Sequence, residues 1–118
     1  MDYSIDMQSC LFCGIISGEL PSGTVHSDEL VVAFRDIHPQ GPVHLLICPR
    51  KHISTLNDVQ PEDGELLVHM FRVARKLAER FGVHETGYRT VFNVNKEAGQ
   101  TVYHLHLHVI GGRVLSWP

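Results

Sequence analysis

The chain has 118 residues, of which 43% are hydrophobic and 19% are charged, and its formal net charge at pH 7 is −3. This length and composition predict one soluble domain with a packed core over residues 1–118. The acidic balance argues against a nucleic-acid-binding surface, and no segment has the roughly 20 apolar residues of a membrane span. The polar, acidic N-terminus lacks a secretory-signal pattern, so we expect a cytoplasmic protein.

Two of the three cysteines form a CxxC pair, Cys10 and Cys13, near the start of the chain. In a chain without a signal peptide, such a pair favours a metal or thiol role over a disulfide framework. It supplies half of a tetrahedral zinc site, and the alternative is two buried small apolar groups. Cys48 lies in an apolar run and is predicted to be part of the core.

The first predicted element is a short turn or helix over residues 14–18, which residues 21–23 (PSG) end. Two apolar runs follow, at residues 29–35 (ELVVAFR) and 42–48 (PVHLLIC), and both favour strands. The turn-like residues 38–42 (HPQGP) separate them, which predicts a β-hairpin.

The clearest helix is predicted over residues 61–81, and Gly82 is its expected stop. Strands are predicted beyond it, at residues 88–95 and 101–110. The fold class is therefore α+β, an antiparallel sheet of about five strands with one long helix across a face. The helix shows apolar residues at three- and four-residue steps, which predict one buried stripe: Leu66, Leu67, Met70, Phe71, Ala74, Leu77, Ala78 and Phe81.

The last predicted strand contains three histidines at two-residue spacing, His104, His106 and His108, with leucines between them. Residues two apart share a face of a strand, so the imidazoles would line one face and the leucines would pack in the core. Three interpretations fit this pattern: a solvent-facing polar surface, a metal site, or a catalytic row of histidines.

The catalytic interpretation rests on the chemistry of imidazole. An unperturbed histidine, with a pKa near 6.5, is substantially neutral at pH 7 and can attack phosphorus to form a covalent intermediate. The charge that it meets requires donors already in position. Gly99, Gln100 and Thr101 lie immediately upstream, and they offer backbone and side-chain donors for a phosphate.

Ordered motifs over residues 10–118 resemble the histidine-triad (HIT) family of nucleotide-binding proteins, which leaves residues 1–9 as an N-terminal extension. The ending GGRVLSWP resembles the Hint branch of that family. The motifs are HLHLHVI (104–110), FRDIHPQGPVH (34–44), PRKHIS (49–54), AGQTVYH (98–104) and GGRVLSWP (111–118).

The resemblance implies a role for each histidine of the triad. His106 would be the nucleophile, His108 would contact the phosphate oxygens, and His104 would be the first triad member. It further implies that His44 is an additional histidine near the triad and that the Thr101 hydroxyl assists the leaving group. On sequence alone, His44 could equally be a buried histidine with a satisfied hydrogen bond, and Thr101 a strand former.

Nucleotide contacts are also implied by the resemblance. Asp36 would hold the ribose hydroxyls, although on sequence alone an aspartate in such a run more often forms a turn at a strand end. The expected contact set is Asp36, Ile37, Asn93, Gly99, Gln100, Thr101, Val102, His106 and His108.

The same resemblance implies a structural zinc site formed by Cys10, Cys13, His52 and His104, with no cofactor required for catalysis. It also implies a homodimer in which two subunits join their sheets, and a C-terminal tail that brings Trp117 to the partner's active site.

The resemblance also implies the reaction, which is hydrolysis of a purine nucleoside 5′-phosphoramidate, of the AMP-NH2 or AMP-lysine type, through a nucleotidyl-histidine on His106. The expected ligands are purine nucleotides such as AMP, GMP and adenosine phosphoramidates. Two alternatives remain open at this stage: a nucleotide- or zinc-binding regulatory module with little turnover, and a dinucleoside polyphosphate hydrolase.

Overall fold

A computed structural model of the protein describes residues 10–18 and 23–117. Residues 1–9, residues 19–22 and Pro118 lie outside the described residues, and so does most of the break predicted over residues 21–23. In the described part of the chain, no helix is long and apolar enough to cross a membrane.

The fold is α+β, as the sequence predicts: a five-stranded antiparallel sheet in the order β1-β2-β3-β5-β4, with one long helix. The sequence did not locate strand β1, since its residues are a short, mostly polar run. The elements are α1 (Leu11–Ser17), β1 (Thr24–Ser27), β2 (Val31–Arg35), β3 (Val43–Pro49), α2 (Gly64–Arg80), β4 (Tyr88–Val91) and β5 (Leu107–Gly111).

The predicted hairpin is confirmed as β2 and β3, which pair antiparallel from Val31 opposite Pro49 to Arg35 opposite Leu45. Alternate side chains on these strands enter two different cores. One, the helix side, packs against α2 and contains Leu45, Ile47, Leu107 and Val109 among others. The second, the outer side, packs against α1 and contains Phe12, Val32, Phe34, Leu46 and Cys48.

The helix α2 confirms the prediction over 61–81 to within a few residues, because a 3-10 turn over Pro61–Asp63 leads into it. The prediction is wrong for one residue of the buried stripe, Phe71. Phe71 is 46% exposed, while Val73 is buried together with Met70, Ala74, Leu77 and Ala78, and the other members of the stripe are partly buried. Phe71 lies on the flank of the apolar stripe, where its ring meets the edge of Phe92 at a centroid distance of 6.1 Å.

The histidine segment differs from the prediction, because β5 begins only at Leu107 and not at residue 101. If the ladder continued past the pair of Ile47 and Leu107, Leu105 would lie opposite Pro49. Pro49 has no N–H, and its carbonyl oxygen accepts a hydrogen bond from the His104 ring, so the ladder ends there. Leu105 instead donates its N–H to the carbonyl of Ile53 at 2.6 Å.

Strand β4 is likewise shorter than its predicted range of 88–95. It ends at Val91, which pairs with His108. Because β5 begins one residue before His108, little of it remains for a longer β4 to pair with.

Candidate active site

A cleft of about 330 Å³ opens on the outer side of the sheet. Its floor includes Leu46 and His108, which lie opposite each other on β3 and β5 and therefore share a face. One end of the cleft is apolar, and Asp36, Asn93, Thr101, His106 and His108 line the other parts. An apolar wall with a few convergent polar groups is the usual form of a small-molecule site. The apolar wall consists of Leu11, Phe12, Ile15, Phe34 and Leu46.

The ring of His106 lines this cleft. A backbone carbonyl determines which of its two nitrogens carries the proton. Its Nδ1 lies 2.6 Å from the carbonyl oxygen of His104. A carbonyl oxygen can only accept, so Nδ1 carries the proton and Nε2 of the neutral ring keeps a lone pair. Burial lowers the pKa of His106, which favours the neutral form. The geometry therefore presents an imidazole nitrogen that is ready to act as a nucleophile.

A second chain of hydrogen bonds sets the protonation of His44 and His108, and we call it the imidazole relay. The backbone N–H of Gln40 donates to Nδ1 of His44 at 2.9 Å, so the neutral His44 ring carries its proton on Nε2. That Nε2–H lies 2.9 Å from Nδ1 of His108. Nδ1 of His108 therefore accepts, and its Nε2 carries a proton. Burial is the main cause that lowers the pKa of His44 and lowers that of His108 to about 4.

Asp36 contributes to both a turn and the cleft. Its Oδ1 accepts the backbone N–H of His38 at 2.8 Å, which is the turn-forming role that the sequence left open. Its Oδ2 lies 3.3 Å from Nε2 of His44, and the side chain lines the cleft with 16% of its surface exposed. The carboxylate thus keeps acceptor capacity for a ligand while it orients the relay.

The predicted phosphate loop is held by Gln100, whose side chain is buried. Its amide oxygen accepts the N–H of Asn95 at 2.8 Å, and its amide nitrogen donates to the carbonyls of Ser54 and Val102 at 2.9 and 3.1 Å. The side chain is therefore engaged inside the fold and does not line the cleft, in contrast to the expected donation to phosphate. Thr101, exposed at the cleft, is the hydroxyl donor that remains in this loop.

The two cysteines meet two histidines in a group that we call the thiol–imidazole cluster: Cys10, Cys13, His52 and His104. One potential ligand atom from each of the four lies within 4.8 Å of the others. Cys13 Sγ is 3.2 Å from Nδ1 of His52 and 3.4 Å from Nδ1 of His104, and Cys10 Sγ is 3.6 Å from the latter. In a tetrahedral zinc site, bonds of about 2.3 Å to sulfur and 2.0–2.1 Å to nitrogen separate such ligands by about 3.5 Å. The cluster therefore has the dimensions of a zinc site.

The protonation of His104 also suits a metal. Its ring is fully buried, and its Nε2 donates to the carbonyl of Pro49 at 2.7 Å, which leaves the Nδ1 lone pair directed at the sulfurs. Burial lowers the pKa of His104 to about 4, so the ring stays a neutral ligand. Burial and the neighbouring Cys10 raise the pKa of Cys13 to about 12, so two thiolates at this place require a cation.

A second group of possible metal ligands, Asp36, His44 and His108, lies in the cleft and has comparable spacing. Its chemistry does not fit a metal ion. The backbone N–H of Gln40 donates to Nδ1 of His44, so the neutral ring carries its proton on Nε2, the atom that faces the group. A metal ion bound there would have to displace this proton. We therefore interpret this group as a proton-bearing chain and not as a metal site.

Comparison with known proteins agrees with this geometry. The HIT domain model matches residues 17–115. The chain belongs to the HIT family. A purine nucleoside phosphoramidase from Escherichia coli strain K12 is 49% identical over 109 residues, which cover 92% of each chain. The crystal structure of a HIT family hydrolase from Legionella pneumophila is 56% identical with a TM-score of 0.91, and covers 92% of this chain and 97% of its own.

A third relative bears on the thiol–imidazole cluster of this HIT protein. It is a zinc-bound histidine triad family protein from Mycobacterium smegmatis, 37% identical with a TM-score of 0.78, and the match covers 90% of this chain and 76% of that one. In the HIT chain described here, Cys10 and Cys13 precede the segment that the family model matches.

The tail of this HIT protein follows the edge of the sheet. Arg89 on β4 donates from Nη1 to the carbonyl oxygen of Ser116 at 2.8 Å. Beyond it, Trp117 is 91% exposed. The tryptophan therefore does not pack on its own subunit.

Sequence reasoning missed the apolar wall that α1 supplies to the cleft. Leu11, Phe12 and Ile15 lie on one side of this helix, at three- and four-residue steps around the CxxC pair. That spacing was a signal for a short amphipathic helix. Which surface the helix covers depends on the cysteine contacts, and these exist only in the folded chain.

Proposed function

We propose that this HIT protein hydrolyses purine nucleoside 5′-phosphoramidates through a nucleotidyl intermediate on His106. The observation that carries the proposal is the 2.6 Å hydrogen bond from His106 Nδ1 to the carbonyl of His104. It leaves the Nε2 lone pair free in the cleft, where a reacting phosphorus would lie. The phosphoramidase from E. coli supports the substrate class.

The cleft offers a separate surface to each part of a nucleotide. The apolar wall around Phe12 and Phe34 suits a purine base. Asp36, at the mouth of this wall beside the 84% exposed Ile37, suits the ribose hydroxyls as a bidentate acceptor. The Nε2–H of His108 and the hydroxyl of Thr101 are two of the donors in the cleft that suit the phosphate oxygens.

In the first step, Nε2 of His106 attacks the α-phosphorus, the P–N bond to the amine breaks, and the amine leaves with a proton taken from solvent. The new bond makes the imidazole cationic, and the carbonyl of His104 stabilises this charge through the proton on Nδ1. His108 meets the negative charge on the phosphoryl oxygens with its Nε2–H. We assign to the Thr101 hydroxyl the role of assisting proton transfer to the leaving amine.

In the second step, water attacks the phosphorus of nucleotidyl-His106 and gives one proton to solvent, the P–N bond to the ring breaks and leaves His106 neutral, and a nucleoside 5′-monophosphate is released. The relay keeps the proton of His108 on Nε2 through both steps. The N–H of Gln40 can only donate to His44, and His44 therefore always donates to Nδ1 of His108. No catalytic metal takes part in this mechanism.

We also propose that the thiol–imidazole cluster holds one structural zinc ion. The 3.2–3.6 Å spacings and the free Nδ1 of His104 support it. Zinc bound there would join the start of α1 to residues 52 and 104 and so stabilise the fold. Metal analysis of protein purified under reducing, chelator-free conditions should give about one zinc per chain. Protein free of zinc after such a purification would refute the site.

A homodimer is the third part of the proposal. Val68 and Phe71 on α2 are 53% and 46% exposed, and Phe71 packs on Phe92, which follows the edge strand β4. An exposed apolar patch beside an unpaired strand edge is a suitable interface, and joining two β4 edges would continue the sheet. Light scattering on the wild type and on Phe71→Glu would test it, with a monomeric wild type as the contrary result.

The deciding experiment compares substrates side by side. The protein is incubated with adenosine 5′-phosphoramidate and, separately, with diadenosine polyphosphates. Faster release of AMP from the phosphoramidate, together with trapping of an acid-labile adenylyl group that His106→Asn does not form, is the expected result. A preference for the dinucleotides would assign the alternative hydrolase activity, and binding without turnover of either would assign a regulatory module.

A further inference from the structure

The helix α1 contributes to both functional centres of the molecule. It begins directly after Cys10, which caps it, and Cys13 lies in its first turn. Both cysteines belong to the thiol–imidazole cluster. The same seven-residue helix presents Leu11, Phe12 and Ile15 to the nucleotide cleft. One short element thus supplies half of the potential metal ligands and most of one wall of the cleft.

Phe12 carries the first connection between the two centres. Its side chain is 6% exposed and lies between the two cysteines in sequence. The ring meets Phe34 edge-on at a centroid distance of 5.3 Å and meets His106 edge-on at 4.9 Å. A displacement of α1 would therefore move a ring that touches both the base wall and the nucleophile.

The second connection passes through His104. Its ring is held between the cysteine sulfurs and the carbonyl of Pro49. Its own carbonyl oxygen accepts the Nδ1 proton of His106. The residue that sets the protonation state of the nucleophile is therefore anchored by the thiol–imidazole cluster.

The attachment of α1 explains why the cysteines matter. A helix of seven residues is too short to be stable without tertiary contacts. Within the described residues, its contacts to the rest of the fold include the sulfur–imidazole contacts at 3.2–3.6 Å and the packing of its apolar side chains on the outer side of the sheet. Loss of the sulfur ligands would leave the packing alone to hold it.

We propose that Cys10 and Cys13 are positioning residues of the nucleotide site, which act through Phe12 and His104 and which make zinc binding and nucleotide binding mutually dependent. The inference rests on the proposed function and deepens it. Because coupling between two sites is reciprocal, a nucleotide must tighten zinc by the same factor by which zinc tightens the nucleotide. Typical couplings of this kind are about 5- to 150-fold.

The test measures both directions of this coupling. AMP is titrated by calorimetry into zinc-loaded wild type and into Cys13→Ser, and we expect about 10-fold weaker binding by the variant. The release of zinc at equilibrium from wild type to a colorimetric chelator is then measured with and without saturating AMP, and AMP should reduce the fraction released. In steady-state assays KM should rise together with a fall in kcat, because both the base wall and the nucleophile lose support.

Two further variants separate positioning from general stability. Cys48→Ala removes a buried thiol from the same outer core but is not part of the cluster, so it should lower the melting temperature and leave the zinc–AMP coupling unchanged. Cys13→Asp keeps a group that can bind zinc, and it should recover part of the AMP affinity in proportion to the zinc that it retains.

The outcomes distinguish this inference from the function on which it rests. If zinc-loaded wild type does not bind AMP, the proposed function fails. If it binds AMP, but folded Cys13→Ser binds equally well or AMP does not alter zinc release, the positioning role is overturned and the function stands. Should Cys13→Ser fail to fold, the chelator measurement on wild type decides alone.

Discussion

Two groups of side chains on the outer side of the sheet both depend on histidine, and they have opposite chemistry. In the thiol–imidazole cluster, His104 donates from Nε2 to a carbonyl oxygen and directs a lone pair at two sulfurs. In the imidazole relay, His44 accepts a backbone N–H on Nδ1 and directs a proton at His108. The backbone partner of each ring therefore decides whether a histidine group offers electrons to a metal or a proton to a substrate.

His106, the proposed nucleophile, lies between these groups, and its substitution should have the largest effect. His106→Asn should lower kcat by about three orders of magnitude or more, because covalent catalysis is lost while the nucleotide contacts remain. AMP affinity should change only a few-fold. Single-turnover assays and calorimetry measure the two quantities. The matched control is His84→Asn, at an exposed histidine outside the cleft, and a His106 variant with more than about a tenth of the wild-type rate would exclude the covalent mechanism.

The relay is broken by a substitution that removes its middle member. His44→Leu should lower kcat by about 100-fold with a smaller effect on KM, since His108 loses the donor that holds its proton on Nε2. Zinc content should not change. His44→Gln, whose amide can still donate, should recover part of the rate. Equal losses in both variants would show that packing at this position, and not the proton, is what matters.

A substitution of Cys13 breaks the thiol–imidazole cluster and leaves the imidazole relay in place. Cys13→Ala should lose the zinc and lower the melting temperature by about 10 °C, because a ligand that binds only the folded state stabilises it. The matched variant Cys48→Ala should retain zinc. Metal analysis and thermal denaturation provide the measurements, and a zinc-free Cys13→Ala protein that melts with the wild type would show that the metal does not stabilise the fold.

Protonation of His108 in the imidazole relay should have a smaller effect, which is a loss of folding stability at low pH. Since burial lowers the pKa of His108 to about 4, the unfolded state binds more protons between about pH 6.5 and pH 4. Stability contributed by the neutral ring is therefore present above about pH 6.5 and is lost as the pH falls through 4. Nitrogen-15 spectra of the imidazole rings should show His108 neutral and protonated on Nε2 at pH 5.5. A ring that is charged at that pH would contradict the relay.

The smallest expected effect concerns the tail, outside both groups. Because Trp117 is almost fully exposed in the single chain, we expect it to reach the partner subunit near the leaving group. Deletion of residues 115–118 should change the ratio of kcat/KM for two phosphoramidates with different amines more than it changes the melting temperature. An unchanged ratio with a lower melting temperature would assign the tail to stability alone.

The sequence predicted most of the fold because its signals are local. The apolar stripe of α2, the hairpin of β2 and β3, and the alternation of leucines with histidines all follow from the period of one element. The errors occurred where a distant residue decides the outcome. Strand β5 begins late because Pro49, which has no N–H, ends the ladder with β3, and Phe71 lies at the flank of its helix, against Phe92.

For the candidate site, the residue types and their spacing indicated histidine chemistry on phosphorus and half of a zinc site, while the resemblance to the HIT family implied the nucleotide and the other two zinc ligands. The tertiary structure alone decided the state of each group. The N–H of Gln40 and the carbonyls of Pro49 and His104 assign the ring protons, and the folding of α1 against the sheet brings Phe12 to the cleft. A sequence specifies which side chains are present, but a hydrogen bond between residues far apart in the chain has its direction only once both partners are in place.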